Sequence, residues 1–86
     1  MTKRPHINTG DWIRVGSCDC VVSVVHPPDY SFGDCEVVFN PSKPTNQDVK
    51  WTGDAWQFFE TGVGGGYADK YDRLKLYVHK LKMGRY

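Results

Sequence analysis

No run of this sequence approaches the roughly 18 to 20 consecutive apolar residues that a membrane-spanning helix needs, so a helical span is not expected. An apolar export segment is missing too. Met1-Thr2-Lys3-Arg4-Pro5-His6 leads straight into polar residues, which makes the cytoplasm the expected compartment. Cysteine is scarce and odd in number, with three in the chain, whereas a secreted domain this small usually pairs an even set. There is almost no net charge, +1 at pH 7, so the total charge argues for neither nucleic acid nor a membrane surface. At 86 residues the chain is also too short for a second hydrophobic core, and a single domain follows.

What is present in quantity is aromatic side chains, at 14% of the residues. Bulky rings let few residues fill a small core. Twelve of them exceed what one such core can hide, so some are expected at the surface. Charge is unevenly placed. Residues 1–69 hold five basic and nine acidic side chains, and residues 70–86 hold six basic and one acidic. An acidic body therefore ends in a basic segment.

Alternation dominates the first two-thirds. Asp11 to Val15 reads as a strand with Ile13 and Val15 on one face and Trp12 on the other. Cys18 to His26 is rich in β-branched residues, with Cys18, Cys20, Val22 and Val24 sharing a face. Pro27-Pro28 ends it. After a loop, Cys35, Val37 and Phe39 align in a third strand, and residues 40–47, with Pro41 and Pro44, read as another loop. Val49–Thr52 and Ala55–Phe59 flank Gly53-Asp54, a two-residue hairpin signature. Beyond the glycine run of 62–66, Tyr67, Tyr71, Leu74, Val78 and Leu81 fall on one face of a helix. Leu74, Leu76 and Val78 also alternate as a strand would, but the helical spacing accounts for more residues. The expected architecture is mainly β: a five-stranded barrel or bent antiparallel sheet over about residues 10–60, a joint at 62–66, and an amphipathic C-terminal helix over about 68–83.

The run Gly10-Asp11-Trp12-Ile13-Arg14-Val15, followed by a Val-rich second strand, resembles the opening of SH3-like barrels. KOW-type nucleic-acid-binding domains and the barrel-type dihydrofolate reductases of gene cassettes begin similarly. The likeness spans the first two strands and points to a small bacterial protein of SH3-like type. It implies a fold more than an activity. The chain has no Val-Gln-Ile-Tyr, the active-site run of those reductases, and no glycine where KOW domains place one after the first strand, so neither activity is carried over.

Several constellations invite chemistry and have plainer readings. Cys18, Cys20 and Cys35 with His26 or His6 are zinc-type ligands. They lack paired Cys-x-x-Cys spacing, however, and each cysteine falls on an apolar strand face, so buried thiols without a metal or other cofactor are expected. The run Gly62-Val63-Gly64-Gly65-Gly66 lacks the Lys-Ser or Lys-Thr of a phosphate loop and reads as a joint. Asp34 with Glu36, and Asp69 with Asp72, are carboxylate neighbours that ten acids in so short a chain produce by chance, and they are expected in solvent.

The aromatics and the basic segment carry the functional expectations. Trp12, Tyr30 and Phe32, with Trp51 and Trp56, are the candidate contact residues of a non-catalytic module that binds a protein or peptide partner. Self-association as a homodimer is compatible with that surface. The alternative is a single-stranded nucleic-acid binder using Lys70, Arg73, Lys75, Lys80 and Lys82, with interleaved tyrosines stacking on bases.

Overall fold

The computed structural model describes residues 3–28, 30, 31, 33–59 and 66–84, except for the side chain of Asp69. Six strands run in chain order as β1 (Trp12–Val15), β2 (Cys18–Val25), β3 (Cys35–Phe39), β4 (Thr45–Trp51), β5 (Trp56–Phe58) and β6 (Gly66–Tyr67). Two 3-10 turns, Ala68–Lys70 and Asp72–Leu74, lead into α1 (Lys75–Met83). Strands β1 to β5 form an antiparallel meander in which β3 pairs with β4 as well as with β2. Each antiparallel step reverses direction, so the first and fifth strands of such a meander point the same way. Closure is accordingly parallel and slight, through the single pair Val15 and Trp56. The result is the expected small five-stranded barrel of SH3-like type, carrying a C-terminal helix.

The interior is filled by Ile7, Ile13, Val15, Cys20, Val22, Cys35, Val37, Val49 and Trp56. The expectation of a single hydrophobic core does not hold: a second cluster lies on the outer surface of the same strands. Val21 and Val38 point away from the interior and are covered by Ala68, Leu74, Val78 and Leu81, with Trp12 and Tyr77 at its margin. Strands β2 and β3 are therefore buried on both faces, which explains their nearly unbroken apolar character. Lys80 helps fix the helix by donating to the carbonyl of Gly10.

Two glycines meet strict local demands. Gly53 opens the β4–β5 turn at φ 103°, the left-handed conformation such hairpins place on glycine. Gly33 sits at φ 118°, where a Cβ would meet the Val49 carbonyl oxygen at 3.0 Å. A side chain there would press on the β4 backbone.

Three further expectations need correction. The loop ends at Pro44 rather than at 47, because Thr45 to Gln47 already pair with β3. Asn46 and Asp48 occupy the buried phase of that strand, so its alternation is written in polar residues and escapes a hydrophobic reading. In β2 a bulge between Val22 and Val24 shifts the register, and Val25 rather than Val24 packs toward the interior. At the C-terminus, Leu74, Val78 and Leu81 are buried as expected, but α1 begins only at Lys75. Tyr67 instead pairs with Thr45, and Tyr71 takes an extended conformation (φ −114°, ψ 119°) between the 3-10 turns, which leaves both tyrosines exposed.

Candidate functional site

Among the described residues, three surfaces qualify for chemistry or recognition. The first is a groove of about 660 Å³ between the N-terminal segment and the β2–β3 connection. Ile7, Val25, Pro5, Pro28 and Trp51 supply its apolar lining, and Lys3, Arg4, His6 and Asp34 supply its polar groups. Asp34 organises the wall. Its Oδ1 lies 3.3 Å from Arg4 Nη1, and its Oδ2 accepts from the Trp51 backbone amide at 2.7 Å. The Asp34 carbonyl accepts from Arg4 Nη1 at 3.0 Å and from the His26 backbone amide at 2.9 Å. Asp34 is thus partly buried and bonded, not the solvated carboxylate expected of it.

The expected aromatic residues separate. Trp51 lines the groove and meets Trp56 edge-on across the hairpin, with ring centroids 5.1 Å apart. Trp56 is buried in the barrel and faces a second, shallower hollow beside Cys18. Trp12 does face away from the barrel interior, but it packs beside the cluster under the helix. Tyr30 is exposed and stacks on His26, 4.2 Å between centroids. Phe32 lies outside the described residues, as do Gly62 to Gly65.

The second surface is a polar cell on the outer face of β2, β3 and β4. Ser23 Oγ donates to Asn46 Oδ1 at 2.8 Å, and Asn46 Nδ2 donates to Glu36 Oε1 at 2.7 Å. Glu36 Oε2 lies 3.5 Å from His26 Nε2, which lies 3.7 Å from Asp48 Oδ1. The Asp48 side chain is wholly buried, while Glu36 and His26 each keep 12% of their side-chain surface. Glu36, expected in solvent, is therefore a buried acid. Its register partner across β3 and β4 is Asp48, a second acid. Sequence reasoning missed this cell because its members are far apart in the chain and look like ordinary strand polars. The available signal was the alternation of Asn46 and Asp48 immediately before Val49.

The third surface is the basic C-terminal segment. Lys70, Arg73, Lys75 and Lys82 are exposed, and Lys75 Nζ pairs with Asp72 at 3.0 Å. Lys80 is engaged with Gly10. Lys43 and Lys70 lie over the Tyr67 ring at 4.7 and 5.7 Å, and Arg73 lies over Tyr71 at 5.4 Å. A hydrogen bond from Lys43 holds the Tyr67 phenol below its usual pKa and raises that of the lysine.

The cysteines do not converge on a histidine. Cys20 and Cys35 are buried and Cys18 is exposed, and all three are free thiols. Burial, the largest cause, pushes Cys20 and Cys35 up to about 12, which keeps both as neutral thiols at physiological pH. No described helix is long and apolar enough to cross a membrane. Comparison with protein-family models, curated proteins and solved structures returns no match.

Proposed function

We propose that the chain is a non-catalytic cytoplasmic binding module that takes an extended peptide segment in the groove beside Trp51. The observation that carries this reading is the groove itself. An indole, two prolines and two aliphatic side chains make an apolar trough, and Lys3, Arg4 and His6 stand along it. Aromatic and proline walls suit an extended peptide, whose alternate side chains can seat in such a trough. The basic flank favours a peptide bearing an acidic residue among apolar ones. Free thiols suit a reducing compartment.

Selection from a library of short peptides tests the reading. Selected peptides should share an acidic residue flanked by apolar ones. Their binding should fall at least tenfold in Trp51→Ala, and also in His6→Glu, a change at an exposed side chain. Selection that yields no binder, or binders indifferent to both changes, would refute the groove.

A second reading, single-stranded nucleic acid, draws on one observation: Tyr67 and Tyr71 are 45% and 46% exposed beside Lys43, Lys70 and Arg73. Rings and cations at one surface are the elements of sequence-tolerant strand binding. A tryptophan-fluorescence titration with mixed oligonucleotides decides it. Saturable quenching that weakens steeply with salt supports this reading, and no response at low salt removes it.

A further inference from the structure

The polar cell combines features that a self-sufficient fold does not need. Two carboxylates face each other across β3 and β4 at a buried register pair. Burying like charges side by side is costly unless something positive sits between them. The His26 imidazole lies beside both, 3.5 Å from Glu36 Oε2 and 3.7 Å from Asp48 Oδ1. Its Nε2 is shielded from solvent and has no hydrogen-bond partner among the described residues, since both carboxylates stand beyond hydrogen-bond range. A buried imidazole nitrogen aimed between two carboxylates without bonding either is arranged for a third body.

We infer that His26, Glu36 and Asp48 bind a divalent transition-metal cation of the zinc or manganese type through Nε2 and one oxygen of each carboxylate. The three donor atoms lie within 4.8 Å of one another. Two ligands about 2.1 Å from one tetrahedral metal stand roughly 3.4 Å apart. The observed 3.5 and 3.7 Å are close to that spacing. Two carboxylates neutralise a dication, and the imidazole selects zinc, manganese or a similar metal over magnesium and calcium. Support around the ligands is already built. Ser23 orients Asn46, and Asn46 holds Glu36 Oε1, which leaves Oε2 toward His26. Tyr30 stacks on the imidazole ring. Glu36 and His26 keep the site's accessible side, where a water completes the coordination shell. The cation would tie the end of β2 to β3 and β4, and so secure the connection that forms one wall of the groove. The site itself does not depend on the peptide-binding reading.

The test uses the full chain without an affinity tag, dialysed against chelator and then titrated with zinc, manganese or cobalt chloride. One equivalent should bind and raise the thermal midpoint, and the cobalt form should show ligand-field bands without sulfur charge transfer. Glu36→Gln combined with Asp48→Asn, which keeps size and shape, should abolish binding. His26→Gln, at the accessible side, should do the same. Asn46→Ala should weaken binding about 10- to 100-fold by releasing Glu36. Any of three results overturns the inference: no cation binding by the folded chain, binding undiminished in folded His26→Gln, or cobalt spectra dominated by thiolate.

Discussion

The outer face of β2, β3 and β4 is finished in two different ways within one register step. At one position Val38 sits opposite Asn46, next to Val21, and the row passes beneath Leu74, Val78 and Leu81. One alternation further along, Glu36 sits opposite Asp48, and the row lies beneath His26. The strands, twist and backbone bonding are shared, so the difference lies in side chains alone. The helix-covered end is stabilised by burying apolar area, at about 1.5–3 kcal/mol for each large side chain. The histidine-covered end hides charge, which yields little stability or costs it. So small a domain would keep such a cell only if the cell had work to do.

The largest expected effect tests the apolar end. Leu74 is fully buried between α1 and the sheet, and Leu74→Ala should lower unfolding free energy by about 2–5 kcal/mol in a denaturant titration. A loss below about 1 kcal/mol would mean that the helix is a loose appendage and not the second core.

Next comes Asn46→Ala, read in chelator. Removing the amide leaves the buried Glu36 oxygen and the Ser23 hydroxyl without it, at a cost of about 1–3 kcal/mol. By contrast, Glu36→Gln with Asp48→Asn should be neutral or stabilise by up to about 2 kcal/mol in the same buffer, because two buried charges disappear. A loss of several kcal/mol from that double change would instead identify an imidazolium–carboxylate cluster that stabilises the metal-free fold. The two ends of the face would then be alternative cores, and the comparison would lose its functional meaning.

The same contrast explains what could be read from the residues beforehand. The barrel was legible because Ile13, Val15, Cys20, Val22, Val37 and Val49 alternate in an apolar code that burial enforces. Gly53-Asp54 marked the hairpin through backbone sterics alone. The polar cell was not legible, since Asn46 and Asp48 alternate as faithfully as any valines but in residue types that usually mark loops. Partnership across β3, which turns Glu36 and Asp48 into neighbours, exists only after folding. Tyr67 and Tyr71 misled for the opposite reason. Their spacing fits a helix, but strand pairing at Thr45 captures Tyr67 first.

The smallest effect at neutral pH concerns the thiols, which report on the barrel interior without disturbing it. Cys18 is exposed at the end of the face that Cys20 continues inward, so Cys18→Ser should change stability by less than about 0.5 kcal/mol. A thiol reagent at pH 8 should modify Cys18 quickly, and Cys20 and Cys35 only at the rate of global opening. The alkaline behaviour follows from burial. Both interior thiols ionise near 12 in the fold, against an ordinary 9.0. Above pH 9 the unfolded chain therefore sheds protons that the folded chain keeps, and the equilibrium shifts toward unfolding. Their contribution is complete below pH 9 and is lost progressively as pH rises toward about 12. Replacing both interior cysteines with alanine should flatten that decline while lowering stability at pH 7 through lost packing. If the decline persists unchanged in the double variant, its origin lies outside the barrel interior, with the tyrosines and lysines of the C-terminal surface the next groups to examine.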